Sequence, residues 1–147
     1  MAAPVGAPQG CLMVLTSLQG LPDFLAYFAT AIALCIVYIV VYTRVTPFDE
    51  YKLIVEAHNA SAALGLGMSL IGFAIPLAAA IYNTESLLDC AIWGIVALIV
   101  QIVAYFLARL AHPHISQAIE QNALASALWL GFVSITAGIL SAASMSG

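Results

Sequence analysis

The chain has 147 residues, of which 64% are hydrophobic and 7% charged, and its formal net charge is −4. A soluble domain carries roughly a quarter of charged residues, so this chain cannot cover a globular surface in water. It also lacks the basic patch that nucleic-acid binding requires. Its mean hydropathy of +1.09 points to lipid as its solvent.

In chain order, residues 1–20 form a lead-in whose apolar stretch, Cys11 to Leu18, has no Lys or Arg before it. That pattern predicts a short interfacial helix or a disordered segment rather than a cleavable signal peptide. The membrane domain then occupies 21–147. Four apolar runs within it are long enough for a membrane helix, which needs about 20 residues: Phe24 to Thr43, Asn59 to Tyr82, Cys90 to Leu110 and Ala123 to Met145. The only Asp, Glu, Lys, Arg or His within them is Arg109, at the edge of the third. Their continuity argues for helices over barrel strands, which need only about 10 residues each. The expected fold is an all-α membrane protein of four transmembrane helices.

Orientation follows from the basic residues. Arg44 and Lys52 lie in the first connection and Arg109 beside the third, so these two connections are expected in the cytoplasm, with both termini outside. Asp23, Glu85 and Asp89 then fall on the outer side. Cys11, Cys35 and Cys90 have no metal-ligand or CxxC spacing and are expected to be free thiols.

A shift of 66 residues brings the two halves into register without a gap. Asp23 meets Asp89, Pro47 meets Pro113, Gly65 meets Gly131 and Gly72 meets Gly138. The pattern predicts two parallel-repeat helical hairpins, repeat A over 21–81 and repeat B over 87–147, related by an axis along the membrane normal. Within each second helix, small residues recur every three or four positions: Ser61, Gly65, Ser69, Gly72, Pro76 and Ala80, then Ala127, Gly131, Ser134, Gly138 and Ser141. Such stripes allow close helix packing in lipid; the competing reading is a pore or ligand crevice.

Thr46-Pro47-Phe48-Asp49 carries the signature of a helix start, with Thr46 as N-cap and Pro47 in the first helical position. A helix running from Pro47 to Tyr82 would be about 54 Å long at about 1.5 Å per residue. It must protrude, tilt or break near Asn59. Gln101 is the one amide near the middle of a span, where a polar side chain usually bridges helices.

The polar groups at the ends of the spans (Arg44, Asp49, Glu50, Lys52, Glu56 and His58, with Arg109, His112, His114 and Glu120) are expected to form a solvated rim. Glu56 and His58 diverge on a helix, so a metal site with His112 and His114 is disfavoured. The absence of acids and histidines from the spans removes the usual carriers of a proton relay and the ligands of a bundle haem. No nucleophile–base pair or phosphate-binding loop is present. The expectation is a non-enzyme with no cofactor and no nucleic-acid partner.

The stretch Tyr42-Thr43-Arg44-Val45-Thr46-Pro47-Phe48-Asp49-Glu50 resembles one family of small bacterial inner-membrane proteins, Domain of Unknown Function 350. So do Gly72-Phe73-Ala74-Ile75-Pro76-Leu77, the group from Asp89 to Trp93-Gly94 with Gln101, and the closing Ala142-Ala143-Ser144-Met145. The resemblance implies a four-helix inner-membrane protein with a duplicated hairpin. Its family's genes often neighbour phage-shock-like and ATP-grasp ligase genes, implying an envelope-stress or membrane-maintenance role. By motif it marks Thr46, Pro47, Glu50, Asn59, Gly72, Pro76, Asp89, Trp93, Gly94 and Gln101 as candidate functional or structural positions. The bilayer is the first partner expected, followed by a homo-oligomer and a membrane or cytoplasmic protein. The alternative is a small channel or passive transporter of several copies, lined by Ser61, Ser69, Gln101 and Ser134.

Overall fold

The computed structural model describes residues 8–146, so the beginning of the lead-in and the end of the second hairpin segment lie outside the described residues. Every regular element among the described residues is helical. Helix α1 spans Gln9–Gln19 and is followed, after Gly20, by α2 over Leu21–Val45. Three further long helices are α3 (Ala60–Asn83), α4 (Leu87–Ala111) and α6 (Leu124–Met145), with a short α5 at Ile115–Glu120. Four helices are thus long and apolar enough to cross a membrane.

The bundle is built around α3 and α6, which run parallel and make the most extensive contact in the molecule. Ser61, Gly65, Ser69, Gly72, Pro76 and Ala80 are all buried on α3, and Ala127, Gly131, Ser134 and Gly138 are buried on α6. The two small-residue stripes therefore face each other. Helix α4 lies against both through Cys90, Gly94, Ala97, Gln101, Ala104 and Ala108, a buried seam with spacings of three and four. At Gly94 an added Cβ would lie 2.5 Å from Leu34 Cδ1 of α2. Large apolar side chains such as Ile36, Ile99, Phe106 and Phe132 stay outside, about half exposed, as lipid-facing residues are.

The long second helix breaks near Asn59. A single π-helical turn, Lys52–Glu56, ends with His58 at φ 51, a left-handed backbone that few non-glycine residues adopt. The matching break after α5 has Asn122 at φ 62, and the Ala123 amide donates to Ala118 carbonyl at 2.8 Å, the 6→1 bond of a Schellman end. These breaks let α3 and α6 start as separate helices at Ala60 and Leu124.

Thr46 does not cap the next helix. It closes α2, its amide donating to Tyr42 carbonyl at 3.0 Å, and its backbone is extended as a residue before proline must be. Its hydroxyl is already engaged by the Tyr42 carbonyl and Glu50, so Asp49 takes the capping role instead, accepting from the Lys52 amide at 3.3 Å. Pro47 sits in the bend, exposed, with Phe48 anchored in the core.

Candidate functional site

Three of the candidate residues meet at one point in mid-bundle. Pro76 lacks an N–H, so the carbonyl of Gly72, four residues earlier, loses its helical donor. Gln101 replaces it: its Nε2 donates to Gly72 carbonyl at 2.8 Å and to Ser134 carbonyl at 3.1 Å. Its Oε1 in turn accepts from the Ser134 hydroxyl at 2.6 Å. One amide thereby ties α4 to both central helices. The approach is so close that a Cβ on Gly72 would fall 2.5 Å from Ser134 Oγ, and one on Gly138 would overlap the Gly72 carbonyl oxygen. Glycine at both positions is a requirement of that crossing.

Asn59 joins the two breaks. Its Oδ1 accepts from the Ala62 amide at 2.9 Å and caps α3, while its Nδ2 donates to the Ile119 and Glu120 carbonyls at 2.9 and 3.1 Å. Asn122 reciprocates by accepting from the Ser61 amide at 3.1 Å. Each break thus supplies the partners that the other's helix ends lack. Asn59 thereby stabilises the break.

A second polar group takes in Thr46 and Glu50, which the resemblance marked, and side chains of α2 that it did not. Leu34, Tyr38, Tyr42, Thr46 and Glu50 lie at successive intervals of four, and all five are buried in one line down α2 and past its end. Tyr38 stacks on Phe73 with ring centroids 4.7 Å apart, and Tyr42 meets Tyr105 edge-on at 5.8 Å. At the end of the line the Thr46 hydroxyl contacts Glu50 Oε1 and the Tyr42 carbonyl.

Glu50 corrects the expectation of a solvated rim. Its exposure is 3%, and it has no cationic partner: among the described residues Lys52 pairs with Asp49 instead, at 3.9 Å. Burial pushes its carboxyl above the ordinary range, and the neighbouring Asp49 charge adds to this. The Thr46 hydroxyl opposes the shift. A titratable group at the margin of the bundle is therefore buried where the sequence suggested a solvated one. The signal that could have found it is the uninterrupted i, i+4 series from Leu34 to Glu50.

The remaining candidates stand apart. Asp89 is exposed in the first turn of α4, where its amide donates to the Ser86 hydroxyl at 3.1 Å. Trp93 is 41% exposed on the outer face of the same helix. The pore lining is also corrected. Ser61, Ser69, Gln101 and Ser134 have exposures of 0, 1, 1 and 4% and lie inside one bundle, so they do not line a lumen between copies. Among the described residues no three His, Cys, Asp or Glu converge on a metal position. His112 instead makes a 3.1 Å hydrogen bond with the Ser126 hydroxyl.

The comparisons with known proteins agree with this architecture. The model of the family described as Domain of Unknown Function (DUF350) matches residues 16–145. The chain is 34% identical over 128 residues to the UPF0719 inner membrane protein YjfL of Escherichia coli (strain K12), covering 87% of this chain and 96% of that one. It is 25% identical over 121 residues to the UPF0719 transmembrane protein YshE of Bacillus subtilis (strain 168), covering 81% and 87%. No solved structure matches. This chain, an integral membrane protein, belongs to the DUF350 family.

Proposed function

We propose that the chain is a non-enzymatic protein of the bacterial inner membrane that works by association. Its partners are further copies of itself and a membrane or cytoplasmic protein of an envelope- or stress-related process. The observation that carries this reading is the division of its surface. The polar groups at membrane depth are spent inside the bundle, on Gln101, Ser134 and the Gly72 carbonyl. What faces outward between α4 and α6 is apolar and grooved. Two clefts of about 410 and 420 Å³ share Ala137 and Leu140, one bordered by Trp93 and the other by Trp129. Small side chains in such grooves favour a neighbouring helix.

Under this reading Arg44, Lys52 and Arg109, which lie at one end of the bundle, face the cytoplasm, and both termini face outward. The 66-residue match is read as a duplicated hairpin, supported by the contact of Gly72 with Gly138, two positions that the shift pairs. The envelope role rests on the family resemblance alone. Crosslinking in native membranes tests the association through single cysteines at Ala137 and Leu140. The expected result is a discrete oligomer or a reproducible crosslinked partner; monomer alone, with no partner captured, contradicts the reading.

A further inference from the structure

Behind Glu50 lies a group of buried hydroxyls that the packing of the bundle does not account for. Ser61, Ser69, Tyr105 and Ser116 each have a buried side-chain oxygen with no hydrogen-bond partner in the protein. A hydroxyl removed from water without a partner costs about 1–3 kcal/mol, so four in one small bundle need an explanation. They gather around Tyr42. Its hydroxyl lies 3.9 Å from where a Cβ on Gly65 would stand. Ser61 and Ser69 flank Gly65 one turn to either side on the same buried face of α3. The Tyr105 ring meets Tyr42 edge-on, and Ser116 is one turn from Ile119, whose Cδ1 is also 3.9 Å from that Gly65 position. An added Cβ at Gly65 would stand 3.9 Å from the Tyr42 hydroxyl, Ile119 Cδ1 and Leu130 Cδ2 alike.

Water has a way in. An open cleft of about 410 Å³ at the end of α2 is lined by Thr46 and Glu50 together with Thr43, Pro47 and Asp49. It reaches Glu50, the one buried carboxyl among the described residues. From Glu50 the Thr46 hydroxyl bonds on to the Tyr42 carbonyl, and the Tyr42 side chain extends to the buried face beside Gly65.

We propose that Glu50 and the buried hydroxyls around Tyr42 form a proton- and water-binding site, open to the aqueous phase at the bundle end that carries Arg44, Lys52 and Arg109. A proton from that water converts the Glu50 carboxylate to the acid. The new O–H donates to Thr46 Oγ, and the Thr46 proton turns to the Tyr42 carbonyl, so every group in the chain of bonds is satisfied. Water held by Ser61, Ser69, Tyr105 and Ser116 completes their hydrogen bonds, as buried water does wherever polar groups line a sufficient space. The charge that bears on Glu50 is that of Asp49, and Tyr42 is the other titratable group facing it. Lys52 is held by Asp49. The neighbouring faces of α3, α4 and α5 contribute hydroxyls and apolar side chains around Tyr42.

Infrared difference spectroscopy of the whole chain in lipid nanodiscs, titrated with acid and base, tests the proton. The expected result is a protonated-carboxyl band that persists well above about pH 4.3, the ordinary value for glutamate. Glu50→Gln abolishes the band, and Thr46→Val, which removes the bond favouring the charged form, moves its loss to higher pH. A band that survives Glu50→Gln, or that disappears at the ordinary glutamate value, overturns the proposal. The water is read separately by hydroxyl-radical footprinting of the unmodified chain, which needs no variant to fold. Tyr42 and Tyr105 are expected to label faster than the equally buried Phe73, whereas labelling as slow as that of Phe73 means a dry site and refutes bound water.

Discussion

The side-chain amide of Gln101 donates, at 2.8 Å, to the Gly72 carbonyl that Pro76 leaves without its helical partner. In lipid there is no bulk water to fill such a vacancy. A proline inside a membrane helix is therefore tolerated where a neighbouring helix supplies the donor. Gly72, Pro76 and Gln101 form a single device, and none of the three explains itself alone.

Gln101→Leu leaves the Gly72 carbonyl unpaired and removes the acceptor of the Ser134 hydroxyl. The expected loss of stability is about 1–3 kcal/mol. Steric trapping or thermal unfolding in mild detergent measures it. Because every partner of Gln101 is internal, the variant should retain the parent's oligomeric state whenever it folds.

Gly138→Ala drives a methyl group into the Gly72 carbonyl, and Gly72→Ala meets Ser134 Oγ at 2.5 Å and its carbonyl oxygen at 2.6 Å. Backbone is on the receiving side in both, so relief requires separating α3 from α6. Each substitution should destabilise by about 3 kcal/mol. Gly67, with nothing within 4 Å of an added Cβ, is the control. Gly67→Ala should be neutral or stabilising by up to about 1 kcal/mol, from helix propensity. Equal effects at 67 and 138 would mean that the crossing is looser than described.

Asn59→Asp keeps an oxygen to cap α3 but discards the two donors that close α5, whereas Asn59→Ala loses both functions. Hydrogen exchange resolves the difference. In Asn59→Asp the Ala62 amide should stay protected while the α5 segment opens faster, and in Asn59→Ala both should exchange faster. The cap itself accounts for about 0.5–2 kcal/mol.

The buried Glu50 predicts a dependence of stability on pH. Its carboxyl titrates higher in the folded chain than in the unfolded one, so its contribution is fully present below about pH 4.3, the unfolded value. That contribution is lost as pH rises through the raised folded value. Unfolding free energy measured across this window should therefore fall as pH rises. Glu50→Gln should flatten the curve and at neutral pH be no less stable than the parent.

Much of this was legible in the sequence, for definite physical reasons. Apolar runs longer than a bilayer core could be nothing but spans, and small residues at intervals of three and four on α3 and α6 announced the seam they form. Length alone required the second helix to protrude, tilt or break near Asn59, and the structure takes the last of these. What stayed hidden depended on tertiary partners. Glu50 sits among Asp49, Tyr51 and Lys52, as rim residues do, and only the end of α2 with its Thr46 bend turns it inward. Tyr38 and Tyr42 lie in an unbroken apolar run, and it is Phe73 and Tyr105 packed against them that mark their face as buried. Thr46 illustrates the same limit. Its sequence fits an N-cap, yet its hydroxyl is engaged by the turn it closes.

The most direct test of the closed core is a double-mutant cycle between Gln101 and Pro76, measured as unfolding free energy in lipid bicelles. Pro76→Ala restores an N–H to the Gly72 carbonyl, so it should offset part of the loss caused by Gln101→Leu. The predicted coupling is about 1 kcal/mol or more. Losses that simply add, to within about 0.3 kcal/mol, would contradict the claim that Gln101 stands in for the hydrogen bond Pro76 removes.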